Sequence, residues 1–199
     1  MTGPAEPAEP AEPAEPPRAL APGVVPPQTV DLDGFHLRRP TLDDTDALHE
    51  AVKASFTELH PWMPWCTEPV ESAQQREFIE RSDTNWAAGT TFNWLIMDAG
   101  GDLIGTIGLM DRIGPGGLEI GYWLRSDATG RGVMTRATAR VTDIALALPG
   151  IERVEIHCDA ANVRSAAVPR RLGYRLDRET QVEATAPGES GLSQYWITP

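Results

Sequence analysis

Cysteine is nearly absent from this 199-residue chain, which has only Cys66 and Cys158. Two thiols support neither a disulfide framework nor a four-thiolate metal site, which suits a reducing cytoplasm. Both read as small buried hydrophobes. Long apolar runs are missing too, and none approaches the roughly 20 residues of a membrane-spanning helix. The start of the chain carries neither the basic nor the apolar stretch of a secretory signal. Positive charge is scarce: 17 lysines and arginines face 29 acids, a formal net charge of −12. Such a surface makes nucleic acid a poor partner and favours a cationic one, such as an amine or a basic peptide. The four histidines are scattered, and no His, Asp or Glu cluster has ligand spacing, so no metal is expected.

What is present divides in two. Residues 1–30 hold four Ala-Glu-Pro triplets, from Ala5 to Pro16, and then Pro17, Pro22, Pro26 and Pro27. Proline removes backbone donors and the segment is poor in apolar surface, so a disordered or polyproline II tail is expected over 1–30. From residue 31 to 199 the pattern is that of one globular domain. Phe35–Arg38 alternates as a strand, Pro40 ends it, and Thr41 through Asp44 read as a helix cap before the stripe Ala47, Leu48, Val52. A second helix follows Pro69 and runs toward Gly89. Strands Phe92–Met97 and Leu103–Leu109 flank a glycine-bearing hairpin turn at Asp98–Asp102. A further strand, Leu118–Leu124, precedes a helix at Val133–Leu148, a strand at Val154–Cys158 and a helix at Val163–Leu172. Strands opening at Tyr174–Leu176 and closing at Gln194–Ile197 complete the chain. This order predicts an α+β (mixed α/β) domain with a central, mostly antiparallel sheet and about four helices.

Two stretches carry chemistry. In the first, Gly121 to Arg136, a strand runs into a short loop with Gly130 and Gly132 and then into a helix. Outward-turned amides and a helix N-terminus make an anion site suited to a pyrophosphate, with Arg131 as a nearby fixed charge. The stretch lacks the third glycine of the dinucleotide fingerprint, and no Gly-Lys-Ser/Thr follows, so it is not a nucleotide P-loop. In the second, Asn162 and Ser165 stand three apart at a helix start, on one face. Taken singly, Asn162 reads as a helix cap and Ser165 as a polar first-turn residue.

Together these stretches resemble the GNAT superfamily of N-acetyltransferases, most closely its RimL/RimJ branch, which acetylates the N-termini of ribosomal proteins. The likeness runs over about residues 34–197. It includes Leu37-Arg38 followed by Asp44, the aromatic-proline segment His60 to Trp65, Glu119 to Leu124, the loop Gly130 to Thr135, and Asn162-x-x-Ser165 followed by Leu172-Gly173-Tyr174. In one departure, Thr129 stands where the superfamily usually has Gln or Arg, and in another Met134 stands where Gly or Ala is common.

The resemblance implies an acyl-CoA N-acyltransferase fold whose sheet splays between its fourth and fifth strands, Leu118–Leu124 and Val154–Cys158. Acetyl-CoA is then the co-substrate, its arm held by backbone groups of Tyr122, Trp123 and Leu124. Amides of Thr129, Gly130, Arg131, Gly132, Val133, Met134 and Thr135 cradle the pyrophosphate, with Asn162 on the opposite side. Glu119 is the expected base, acting through a water, with Glu183 in reserve. Ser165 is expected to protonate the sulfur, and Trp62, Met63 and Trp65 to wall the acceptor pocket. His60 and His157 are expected to be structural. The acceptor is a primary amine, on a protein N-terminus or a small molecule, attacking directly in a ternary complex. The alternatives are a succinyl donor, or a non-catalytic module that senses acyl-CoA. The resemblance also allows a homodimer.

Overall fold

The computed structural model describes residues 17–199. The Ala-Glu-Pro triplets lie outside the described residues. Eight strands form one sheet: β1 (Thr29–Leu32), β2 (Phe35–Arg38), β3 (Thr91–Asp98), β4 (Leu103–Met110), β5 (Gly117–Leu124), β6 (Arg153–Asp159), β7 (Arg175–Gln181) and β8 (Leu192–Ile197). Their spatial order is β1-β2-β3-β4-β5-β6-β8-β7, and every neighbouring pair is antiparallel except β5 with β6. The helices are α1 (Thr45–Ala54), α2 (Phe56–Leu59), α3 (Ser72–Ala88), α4 (Val133–Leu146) and α5 (Val163–Arg171). The expected fourth and fifth strands are therefore β5 and β6. The count shifts by one because β1 lies where a tail was expected. Among the described residues, no helix is long and apolar enough to cross a membrane.

The two sheet faces bury different helices. Leu48 and Val52 of α1, Leu59 of α2 and Ile79 of α3 pack with Leu95, Met97, Leu103 and Trp123. On the other face Val133, Ala137, Val141, Ile144 and Ala145 repeat at helical spacing along α4. They meet Ile107, Leu109, Leu118 and Ile120, joined by Ala166 and Val168 of α5.

Residues 17–30 correct the expectation of a disordered tail, because they lie against the domain. Leu20 is buried. The buried carboxylate of Asp111 accepts the backbone N–H groups of Ala19 and Leu20 at 2.8 and 3.0 Å. Trp94 Nε1–H donates to Pro27 O at 3.1 Å, and β1 pairs with β2 from Thr29 onward. Composition averaged over thirty residues conceals that Leu20, Val24 and Val30 all fall in the second half.

Before α1, Asp44 accepts the backbone N–H and hydroxyl of Thr41 at 2.7 and 2.9 Å and a guanidinium N–H of Arg38 at 2.8 Å. Burial alone would raise its carboxyl; the hydrogen bonds from Arg38 and Thr41 outweigh burial and hold it below the usual range. Asp44→Asn is expected to cost about 2 kcal/mol, since it strands the Arg38 charge, and to lower Tm by about 5 °C in a melting experiment. A depressed folded-state pKa means stability present above the ordinary carboxyl value of about 3.9 and lost as pH falls through the folded one. The wild-type advantage over the variant should therefore shrink in melts below pH 4.

Candidate active site

β5 and β6 pair only over Gly117↔Arg153, Leu118↔Val154 and Glu119↔Glu155 before they part. On its other edge β6 pairs with β8 from Glu155 to Asp159. The phase of β5 follows from two bonds: Arg125 N–H donates to Ile104 O of β4 at 2.8 Å, and Gly116 O accepts Arg153 N–H of β6 at 3.0 Å. Counting by two, odd residues face β4 and even residues face the gap. The backbone groups of Tyr122 and Leu124 thus point into the opening, with no acceptor or donor there among the described residues. Trp123 differs from expectation, since its backbone belongs to the β4 ladder and only its indole reaches the site.

At the end of the gap the loop turns through Gly130 (φ 77°) and Gly132 (φ 72°), a left-handed geometry that glycine adopts without strain. The first α4 bond is Arg136 N–H to Gly132 O. The six amides from Gly130 to Thr135 have no acceptor among the described residues. Val133 and Met134 sink their side chains into the core and contribute backbone alone. Arg131, expected as a fixed charge here, is exposed and lines neither of the two cavities at the split. The cations that do line the loop-side cavity are Arg136, Arg164 and Arg171. Sequence reasoning missed Arg164 and Arg171 because only the docking of α5 brings them there. Thr129 turns its hydroxyl back onto Ser126 O at 2.8 Å.

Across the gap, Asn162 caps α5, its Oδ1 accepting Ser165 N–H at 3.0 Å. Pro169 sits inside that helix and cannot donate to Ser165 O, its i−4 carbonyl. That carbonyl instead accepts the hydroxyl of Tyr122 at 3.1 Å, while Ser165 Oγ lies 3.4 Å from the same phenol oxygen. Burial pushes the Tyr122 hydroxyl well above its ordinary range, so it stays protonated at neutral pH.

Two cavities meet here. One, of about 1150 Å³, runs along the loop and the start of α5. The other, of about 970 Å³, lies between α3 and the sheet. Trp62, Met63, Tyr122, Trp123, Asn162 and Ser165 line both, whereas Trp65 and Glu119 line only the second. Gly108 and Gly121 face each other across β4 and β5 and leave room for the second cavity, where a side chain at 108 would strike Asn93 Oδ1 at 2.5 Å. Glu119 is buried, and Arg112 donates to both its oxygens, Nε–H at 2.8 Å and Nη2–H at 2.6 Å. The reserve Glu183 is exposed and lines neither cavity. His60 Nδ1 lies 2.7 Å from Cys66 O, and its ring stacks on Phe56. Among the described residues no group of three His, Cys, Asp or Glu could hold a metal ion.

Residues 35–175, well over half the chain, match the family model of the acetyltransferase (GNAT) domain. The chain belongs to the GNAT acetyltransferase family. It is an acetyltransferase with acetyl-CoA as co-substrate. A curated GNAT relative, "Putative ribosomal N-acetyltransferase YdaF" of Bacillus subtilis, is 28% identical over 140 residues, covering 66% of this chain and 72% of its own. Two solved structures share the GNAT fold. RimL, a ribosomal L7/L12 alpha-N-protein acetyltransferase in complex with coenzyme A, matches with a TM-score of 0.75 at 22% identity over 84% of this chain and 94% of its own. The microcin C7 self-immunity acetyltransferase MccE, in complex with acetyl-CoA and AMP, matches with a TM-score of 0.77 at 22% identity over 84% and 93%.

Cys158 departs from the reading of a buried hydrophobe: it is half-buried on β6 and lines the second cavity, while Cys66 is fully buried. Burial raises both thiols above their ordinary values. In a native GNAT domain at pH 7, iodoacetamide should label Cys158 before Cys66, and both more slowly than in urea. Mass spectrometry of timed samples checks the order.

Proposed function

We propose that this GNAT protein passes the acetyl group directly from acetyl-CoA to a primary amine, both substrates bound at once. The carrying observation is the meeting of the two cavities at Tyr122 and Ser165, with an unpaired strand edge on one side and Glu119 on the other. The chain's own groups fit the coenzyme. The free backbone of Tyr122 and Leu124 suits the amides of a pantetheine arm, and the six loop amides with the helix N-terminus suit a pyrophosphate. Asn162, its Oδ1 engaged as a cap, has its amide N–H groups to offer the arm. The domain that does this spans 31–199, and residues 17–30 brace it.

The reaction needs a neutral amine, a polarised carbonyl and a protonated leaving sulfur. Ser165, paired with the protonated phenol of Tyr122, serves as the proton donor to the sulfur. Glu119 serves the amine. Chelated by Arg112 on both oxygens, it is better suited to orient an incoming ammonium than to strip it. Trp62, Met63 and Trp65 wall the acceptor side. The acceptor is the amine of a protein N-terminus, a reading supported by the names of YdaF and RimL; a small-molecule amine meets the same chemistry.

Two experiments test this. Gly132→Ala adds a methyl with no heavy atom within 4 Å, so its effect is conformational, a strain of about 1–2 kcal/mol. Calorimetry should show coenzyme A binding weakened about tenfold; unchanged affinity would remove the loop from the coenzyme site. In a thiol-release assay with acetyl-CoA and N-terminal Ser and Ala peptides or small amines, Ser165→Ala and Tyr122→Phe should each lower kcat about 100-fold while coenzyme A still binds. Full activity in both variants would rule out the hydroxyl pair as the acid.

A further inference from the structure

His157 stands on β6 two residues beyond Glu155, on the same face, and lines the second cavity. Its ring lies between two carboxylates, Nε2 at 2.8 Å from Glu155 Oε2 and Nδ1 at 3.4 Å from Glu119 Oε2. These contacts are unequal. The first is a full hydrogen bond, and the second exceeds hydrogen-bond length to an oxygen that Arg112 already occupies. Glu155 thus fixes the proton on Nε2 and leaves Nδ1 as the lone-pair nitrogen beside Glu119. Glu155 is buried and absent from the cavity wall, whereas His157, Glu119 and Arg112 all line it.

From this geometry we propose that His157 Nδ1 is the general base that takes the proton of the acceptor ammonium, with Glu155 its positioning residue and Glu119 the carboxylate that holds the ammonium. The inference rests on the acetyl-transfer reading above. In the step, an N–H bond of the ammonium breaks and its proton forms a bond to Nδ1. The amine keeps the freed electron pair and attacks the thioester carbon. The imidazolium so formed lies between Glu119 and Glu155, where both carboxylates stabilise it.

The remaining surroundings fit a ring that gains and loses one charge. Arg153 donates Nε–H to Glu155 Oε1 at 2.9 Å, and Arg178 Nη2 is 3.9 Å from Glu155 Oε2. Burial would raise the Glu155 carboxyl, but the hydrogen bonds from His157 and Arg153 outweigh it and hold it below the carboxylate range. Tyr195 of β8, opposite His157 in the register, packs on the imidazole with ring centroids 4.4 Å apart and carries the Arg178 guanidinium over its ring at 3.9 Å. The charged groups around the ring are therefore Glu119 and Arg112 from the β5 side, Glu155 and Arg153 from β6, and Arg178 from β7. Both carboxylates that touch the ring have an arginine of their own, whereas His157 Nδ1 faces the cavity without a cation beside it.

The test uses the full chain with acetyl-CoA and the best amine of the thiol-release screen, beside nitrogen NMR of the histidine rings and coenzyme A calorimetry. His157→Gln should bind coenzyme A as wild type does, lose about 100-fold in kcat with little change in amine KM, and regain rate as pH rises toward the amine's own pKa. Glu155→Gln should lose a smaller factor and shift the His157 ring signals. In wild type the neutral ring should carry its proton on Nε2. A ring protonated on Nδ1 in the neutral form, or a His157→Gln variant within threefold of wild-type kcat at every pH, overturns the proposal. Wild-type protein that binds no coenzyme A overturns the acetyl-transfer reading itself, an outcome separate from either of these.

Discussion

The site depends on one constraint: β5 and β6 run parallel for three residue pairs and then separate. A strand edge inside a domain normally costs unpaired backbone groups, and buried ones are expensive. On β5 the cost falls on the even residues after Glu119, which open onto a cavity, while the odd residues stay in the β4 ladder. β8 holds the far edge of β6, pairing with Glu155 through Asp159, so β6 stays anchored in the sheet where it leaves β5. Each strand of the split is thus held by a neighbour on its outer edge, β4 for β5 and β8 for β6, which fixes the width of the opening.

A second local rule supports the first. Proline within a helix ordinarily weakens it. At position 169 its missing N–H frees the Ser165 carbonyl, which would otherwise be spent on the helix. That carbonyl holds Tyr122 across the gap at the point where both cavities meet. The same side chain ties β5 to α5 and brings its hydroxyl within reach of Ser165 Oγ. A single residue that breaks a local preference sets the contact between the two halves of the site.

Much of the fold was legible because it rests on local signals. The hairpin at Asp98–Asp102, the glycine stop after α3 and the stripe on α4 each follow from a few adjacent residues. What escaped depends on distant partners. β1 is unremarkable until β2 lies beside it, and residues 17–30 are proline-rich until Asp111 and Trp94 receive them. In the site, the glycine loop and the Asn162–Ser165 pair were visible, since both are fixed by spacing within one helix start. Strand phase was not: whether Trp123 offers backbone or side chain turns on the register with β4. Arg164, Arg171 and His157 were unreadable for the same reason, as their roles depend on which element docks opposite.

The buried charges beside the gap show how such a network persists in an acidic protein. Two carboxylates, Glu119 and Glu155, share one stretch of sheet, and like charges so placed repel. Each is offset by an arginine, Arg112 for one and Arg153 for the other, and a lone buried carboxylate would cost several kcal/mol. With both acids matched, the imidazole between them is the one element whose charge can change without leaving an unpaired neighbour. Protonation of Nδ1 links the Arg112–Glu119 pair to the His157–Glu155–Arg153 set in a chain of five groups, and deprotonation leaves the ring bonded to Glu155 alone. A reaction that begins with an ammonium and must proceed through a neutral amine needs such a place for its proton, close to the carboxylate that attracts the cation.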